Sequence, residues 1–213
     1  MGRADELSAL AAPVVASLAA SHAAREAALP ACRRCIRACG LSIRAVHRLE
    51  FDTAAALADE AEGALREAQS AVASFPAIAF AGFLHDAEKE YAEARVTAAL
   101  VTGGGLPSAS SLSVQPAAWL NGLAEAASEL RRHLLDRLRA GEYDRAESLL
   151  DVMDDVYTLL VTVDFPDAIT GGLRRTTDAF RAVLERTRGD LTVTVLQRRL
   201  QSSIERAFPP GAG

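Results

Sequence analysis

The stretch FAGFLHDAEKEYAEARVTAALVT, residues Phe80–Thr102, decides the fold and carries the first candidate site. At 3.6 residues per turn its apolar side chains fall on one stripe, which predicts a helix packed against a core. Three acids, Asp86, Glu90 and Glu93, lie along one edge of that stripe. A partly buried carboxylate is costly unless a positive group balances it. The edge is therefore either solvated or balanced by arginines or a cation. The stripe consists of Phe80, Phe83, Leu84, Ala87, Tyr91, Ala94, Ala98 and Val101.

The composition predicts an all-α fold. The chain has 213 residues, half of them hydrophobic and only 5% aromatic. It contains no long alternating run of β-branched residues, which a β-sheet would require. We expect a single domain over residues 1–206, an antiparallel bundle of about seven helices, followed by a disordered tail over residues 207–213.

Proline, glycine and the apolar periodicity set the predicted helix boundaries. Pro13 and Pro30 predict breaks or kinks near the N-terminus. The segment Gly103–Ser113 predicts the longest loop, and Gly141 predicts a helix end. The predicted helices cover residues 3–29, 31–49, 53–74, 76–102, 116–139, 144–163, 167–187 and 191–206.

Charge and hydropathy predict a cytoplasmic protein without a membrane association. The N-terminus, with Arg3, Asp5 and Glu6, does not resemble a secretory signal. We expect charged residues to interrupt every apolar run before it reaches the ~20 residues that span a bilayer. The net charge of −5 excludes a protein that is basic overall, but it does not exclude a local basic patch.

Three cysteines, Cys32, Cys35 and Cys39, have a spacing that also occurs in metal sites. On a helix they share one face with aliphatic residues, and no fourth ligand completes a zinc site there. We therefore interpret them as small buried side chains.

Arginines form a stripe on the opposite face of the same predicted helix. Their positions fall within about 60° of one another at 3.6 residues per turn. An arginine stripe is either a solvated outer surface or a surface that contacts phosphates, and the segment alone leaves both open. The stripe consists of Arg33, Arg37, Arg44 and Arg48.

A second acidic helix is predicted over residues 116–139. Glu125 and Glu129 stand one turn apart on it, beside the small residues Ala118 and Gly122, which we expect to leave room above the carboxylates. No serine nucleophile motif, nucleotide-binding glycine motif, H-E-x-x-H pair or Glu-x-x-His di-iron pair occurs in the chain. Carboxylates on two helices favour Mg²⁺ or Mn²⁺, and such a cation next to arginines suits phosphodiester cleavage.

Five segments in the same order resemble the translin/TRAX family. REAALPACRRCIRACGLSIRAVHR at 25–48 resembles the family's basic first long helix ending in His-Arg, and KEYAEA at 89–94 resembles its E-Y-x-E-A motif. WLNGLAEAASELRR at 119–132 and GEYDRAESLLDVMDDVYTLL at 141–160 are similar to its later motifs, and 173–191 to its last long helices.

The resemblance implies a function and a set of site residues. TRAX-like members are Mg²⁺-dependent endoribonucleases acting on single-stranded RNA, and their catalytic acids map onto Glu90, Glu93 and Glu125, with Glu129 as a fourth metal-site carboxylate. The third acid is usually Asp, so Glu125 is one methylene longer. The resemblance also implies a closed homo-octameric shell with interior acids and RNA contacts from the arginine stripe.

Two other functions stay open. Translin-like members are chiefly non-catalytic assemblies that bind single-stranded RNA or DNA. A helical scaffold that binds other proteins would need neither RNA nor a cation.

Overall fold

The structure, a computed structural model, describes residues 2–79 and 82–207. Every regular element in these two ranges is an α-helix, which confirms the all-α prediction. Phe80 of the predicted stripe and residues 208–213 of the predicted tail lie outside the described residues, whereas Ala207 ends the last helix. The helices are α1 Arg3–His47, α2 Phe51–Val72, α3 Pro76–Ala79, α4 Gly82–Thr102, α5 Ala109–Leu112, α6 Pro116–Arg139, α7 Tyr143–Val161, α8 Asp167–Thr170 and α9 Leu173–Ala207.

Helix α1 continues through both prolines, so the predicted break between residues 29 and 31 is wrong. A proline inside a helix removes one backbone hydrogen bond to the carbonyl four residues earlier. For Pro13 and Pro30 those carbonyls belong to Ala9 and Glu26, and all four residues are exposed. The carbonyls can therefore bond to solvent, and the helix tolerates both prolines.

Helix α9 is likewise one helix where two were predicted. Ion pairs to neighbouring helices hold the segment over which we predicted a break. Arg188 pairs with Asp154 on α7, and Asp190 accepts a 2.8 Å hydrogen bond from Arg131 on α6. The helix predicted over residues 167–187 begins at Asp167 as expected but is not continuous, because Gly171 and Gly172, with φ of 61° and 81°, separate α8 from α9.

The core has two clusters of buried side chains that meet at Trp119. One lies among α1, α2 and α4 and contains all three cysteines, which are free and buried. Burial raises the pKa of Cys32 to about 11, so its thiol stays protonated, as the interpretation of these residues as core side chains requires. The other cluster lies mainly among α6, α7 and α9 and also includes buried side chains from the end of α1, the start of α2 and the second half of α4. Trp119 packs against both and donates a 2.9 Å hydrogen bond to the Pro107 carbonyl, which anchors the 103–113 loop.

Within that loop the chain forms the single turn α5 rather than irregular backbone throughout. The Ser108 hydroxyl accepts a hydrogen bond from the Ser111 amide at 3.1 Å and caps the turn.

Both chain-end helices extend beyond the core. Residues 3–20 of α1 are exposed, and so are Val193, Leu196, Leu200 and Ile204 of α9. The 18 residues 7–24 contain no Asp, Glu, Lys or Arg, contrary to our expectation that charges interrupt every such run. By length and composition alone α1 could cross a membrane, with a mean hydropathy of 1.5 over its most apolar window.

Candidate functional site

Helices α4 and α6 cross closely because Gly122 has no side chain. A Cβ at this position would lie 2.7 Å from the Lys89 carbonyl oxygen and 2.9 Å from the Glu93 amide nitrogen. Both are backbone atoms, so neither can rotate away. We expected Gly122 to leave room above the carboxylates, but its actual role is to let the two helix backbones touch. The helices bring their acids together at this crossing.

Three of the predicted carboxylates share one site. One oxygen each from Glu90, Glu93 and Glu125 lies within 4.8 Å of the other two. Glu90 and Glu93 come from adjacent turns of α4, and Glu125 comes from α6. Glu93 is the most buried, with 7% of its surface exposed. Within the described ranges this is the one group of three or more His, Cys, Asp or Glu side chains close enough to share a metal ion.

The close carboxylates of the site favour the binding of a positive charge. Burial, followed by the charges of Glu90 and Glu125, raises the pKa of Glu93 to about 9. Burial is also the main reason that the pKa of Glu90 is raised, and Lys89 opposes that shift. A carboxyl group crowded in this way gains from any cation that approaches it.

Lys89 already supplies one positive charge. Its Nζ donates hydrogen bonds to both Glu125 oxygens, at 2.9 and 2.8 Å, and lies 3.4 Å from a Glu90 oxygen. Burial works against the ammonium, but the hydrogen bond to Glu125 and the charges of the three glutamates outweigh it and raise the pKa of Lys89. Sequence reasoning did not assign Lys89 to the site, although it is the only lysine in the chain.

Glu129 lies one turn beyond Glu125 and points to a different partner. Its Oε2 is 2.6 Å from Nε2 of His47, whose side chain is 3% exposed in the last turn of α1. The other ring nitrogen of His47 is buried and has no hydrogen-bond partner among the described residues. Asp86, at the far end of the acidic edge, is exposed. The structure thus brings three of the acids together and places Glu129 beside them.

Glu88 is a buried acid that the sequence did not single out. It accepts hydrogen bonds from the Gln69 side chain at 2.8 Å and from the Gln115 amide at 3.0 Å. Because Gln115 is the N-cap residue of α6, these bonds tie α4 to α2 and to the start of α6. A signal did exist in the sequence, because Glu88 stands four residues after Leu84 and three before Tyr91, both on the predicted apolar stripe.

The four arginines of the predicted stripe are exposed, three of them on α1 and Arg48 as its C-cap residue. Arg48 is bonded to Glu50, whereas Arg33 and Arg37 make no ion pair with any residue that the structure describes. Arg44 precedes His47 by three residues, which places them about 60° apart around the helix. The stripe therefore adjoins the side of α1 that reaches Glu129.

The donor set fits a hard divalent cation. Carboxylate oxygens are what Mg²⁺ and Mn²⁺ prefer, and three of them from two helices leave room for water and a phosphate oxygen in a six-coordinate shell. The carboxyl crowding at Glu93 is relieved by such an ion, whereas the Lys89 ammonium must share Glu125 with it. The site can therefore hold a divalent metal ion.

Comparisons with known proteins agree with this fold. No protein-family model matches the chain. A structure of AfC3PO in complex with duplex RNA is 31% identical, with a TM-score of 0.78 over 87% of this chain and 96% of that one. A crystal structure of AfC3PO is 30% identical, with a TM-score of 0.74 over 92% and 99% of the two chains.

Two more distant proteins are also similar. The apo form of NeC3PO, 15% identical with a TM-score of 0.75 over 91% of this chain and 98% of that one, shares the fold. An uncharacterized protein of Methanocaldococcus jannaschii is 27% identical over an alignment of 196 residues, which covers 89% of this chain and 84% of that protein.

Proposed function

The chain belongs to the C3PO/translin family, and from this premise we propose that it is a Mg²⁺-dependent endoribonuclease acting on single-stranded RNA. Mn²⁺ would serve in place of Mg²⁺. The observation that carries this proposal is the convergence of Glu90, Glu93 and Glu125 at the crossing of α4 and α6. These are the same three residues that the family resemblance indicates as catalytic acids.

Each residue would have a definite task. Glu90, Glu93 and Glu125 would hold the cation, and Glu129, positioned by His47, would lie next to it. Bound there, Mg²⁺ would lower the pKa of a water molecule and stabilise negative charge on the phosphate. The protein would hold the RNA strand so that one phosphodiester lies at the carboxylates, where water adds to phosphorus and the P–O bond to the leaving oxygen breaks.

RNA contact is proposed for the arginine stripe. Arg33, Arg37, Arg44 and Arg48 offer an exposed row of guanidinium groups, which suit phosphate oxygens. The related AfC3PO is seen with duplex RNA, which supports RNA as the class of ligand. Single-stranded DNA is a further candidate ligand, since phosphate contacts carry no base information.

We also propose that the functional form is a closed homo-octamer with the carboxylates facing its interior. The exposed aliphatic residues on both chain-end helices support self-association, since an isolated chain would leave them in water. A cytoplasmic location belongs to the same proposal, and fractionation of cells producing a tagged chain tests it.

Cleavage of a labelled single-stranded RNA tests the activity. We expect cleavage with Mg²⁺ and none with EDTA. The Glu90→Gln, Glu93→Gln double variant keeps the side-chain shapes and removes two charges, so its cleavage rate should fall by at least about a hundredfold. Glu60→Gln, which removes an exposed carboxylate from α2, is the matched control and should cleave like wild type.

Equal cleavage by the double variant and wild type would reject the site. If wild type binds RNA with a strong salt dependence and does not cleave it at any metal concentration, the chain is a non-catalytic nucleic-acid-binding assembly. If the chain neither binds nor cleaves RNA, it is a helical scaffold that binds other proteins.

A further inference from the structure

Lys89 is an unusual neighbour for a site that is to bind a divalent cation. All other basic side chains among the 23 Lys and Arg residues are arginines, and the single lysine sits inside the carboxylate cluster. Its Nζ occupies both oxygens of Glu125 and approaches Glu90. A divalent cation that uses Glu125 as a ligand must therefore compete with Lys89.

The backbone of Lys89 is fixed, whereas its side chain can move. The Lys89 carbonyl lies in the tight crossing against Gly122, where there is no space even for a methyl group. The side chain is 20% exposed and has four rotatable methylene groups, so the ammonium has a path toward solvent. If a cation displaces the Lys89 ammonium from Glu125, rotation about the side-chain bonds would move the ammonium while the fixed backbone keeps it near the site.

The net charge of the cluster also favours the binding of one divalent cation. Once Glu93 has lost its proton, as a metal ligand must, three carboxylates and one ammonium leave two uncompensated negative charges, and one divalent cation balances two. A second divalent cation would leave an excess of positive charge next to the displaced lysine. The cluster with Lys89 present therefore suits a single divalent ion.

We propose that Lys89 competes with the metal ion and then assists it: its ammonium pairs with Glu125 and Glu90 until one divalent cation binds, gives up Glu125 to that cation, and then contacts the RNA phosphate beside it. This inference rests on the proposed function for its last step only. A lysine in that position acts as a point charge on the phosphate and adds to the charge stabilisation of the reaction.

Metal binding without RNA tests the competition. Mn²⁺ affinity and stoichiometry are measured by titration calorimetry and by electron paramagnetic resonance of free Mn²⁺. Lys89→Met keeps the length and apolar character of the stem but removes the charge, so it should bind Mn²⁺ about tenfold more tightly than wild type. Lys89→Arg keeps the charge and should bind no more tightly than wild type. Arg95→Met removes a cation from α4 that pairs with Asp59 outside the site, and its Mn²⁺ affinity should be unchanged.

Thermal unfolding provides a second reading that does not require a fully stable variant. Without metal, Lys89→Met leaves Glu125 and Glu90 uncompensated and should melt below wild type. Saturating Mn²⁺ should raise its melting temperature by more than it raises that of wild type, because binding is linked to stability. A metal-induced shift no larger than that of wild type, or Mn²⁺ affinity no higher, would overturn the inference.

RNA cleavage then separates the two proposals. At saturating Mg²⁺, Lys89→Met should cleave more slowly than wild type despite its tighter metal binding, and Lys89→Arg should recover part of the rate. Full activity of Lys89→Met would overturn the phosphate contact. If wild type does not cleave RNA but the affinity shift is present, the competition stands and the nuclease proposal fails.

Discussion

Arg33 and Arg37 present guanidinium groups that no described carboxylate engages, whereas Arg48 is already bonded to Glu50. The arginines of one stripe thus differ in what their charges can do, since among the described residues a carboxylate holds Arg48 but neither Arg33 nor Arg37. A guanidinium without an ion-pair partner binds a phosphate at a lower free-energy cost than one that must first break an ion pair.

Replacement of Arg33 and Arg37 by Gln should weaken RNA binding and flatten its salt dependence. Each phosphate contact to a single strand contributes about 0.7 to the slope of log affinity against log salt, so losing two should reduce the slope by about 1.4. Fluorescence anisotropy at several salt concentrations measures both quantities. Arg132→Gln, which removes an exposed charge from α6, serves as the control. An unchanged slope in the double variant would place these arginines outside the RNA surface.

Residue identity predicted the acids but not their partners. Helical periodicity placed Glu90 and Glu93 on one edge, and the family motif added Glu125, and all three converge. The salt bridge from Lys89 was not predictable, because a lysine between two glutamates on a helix usually reaches solvent. The pairing of Glu129 with His47 depends on how α1 ends relative to α6, which periodicity within either helix does not contain.

At the scale of helices, the site depends on how closely α4 and α6 approach. The atoms that meet Gly122 are the Ala92 Cβ and two backbone atoms of α4 on either side of Glu90, so any added volume moves the residues that carry the acids. Packed interiors transmit such displacements because they have little free volume.

Gly122→Ala should therefore destabilise the protein by about 1–3 kcal/mol through overpacking, even though alanine favours helix more than glycine does. It should also weaken Mn²⁺ binding by moving Glu125 away from Glu90 and Glu93. Chemical denaturation and Mn²⁺ titration measure the two effects.

The matched control is Gly63→Ala in α2, where an added methyl group meets nothing within 4 Å. It should leave Mn²⁺ binding unchanged and alter stability by at most about 1 kcal/mol in the stabilising direction. The crossing would lose its assigned importance if Gly122→Ala behaved like this control.

Helix boundaries were the least predictable part of the fold. Pro30 and the Arg188–Asp190 segment predicted helix breaks that the structure does not have. The carbonyl that Pro30 leaves unbonded is exposed to solvent, and ion pairs to α6 and α7 hold the Arg188–Asp190 segment in a helix. Both causes depend on the tertiary structure, so local sequence patterns could not have predicted either of them. By contrast Gly141, with φ of 79°, follows the end of α6 where its left-handed preference predicted.

At the scale of the whole molecule, apolar side chains are exposed on the helices at both ends of the chain. Leu196 and Leu200 of α9 are 56% and 62% exposed, and the first turns of α1 carry further exposed aliphatic residues. A soluble chain with such surface normally covers it by association. The proposed closed shell would do so.

Native mass measurement should give eight times the 22.5 kDa mass of one chain. Leu196→Glu with Leu200→Glu should yield smaller particles that remain helical, since neither side chain supports the fold of its own chain. Leu106→Glu, at an exposed position in a loop, should leave the mass unchanged. A monomeric wild type would contradict the assembly.

The central claim is that Glu90, Glu93 and Glu125 hold one divalent cation between two helices, and Mn²⁺ binding to the full chain tests it most directly. We predict one Mn²⁺ per chain for wild type and for Glu60→Gln, and no measurable binding at the same concentrations for the Glu90→Gln, Glu93→Gln variant with its helical content intact. Equal Mn²⁺ affinity and stoichiometry in that double variant and wild type would contradict the account.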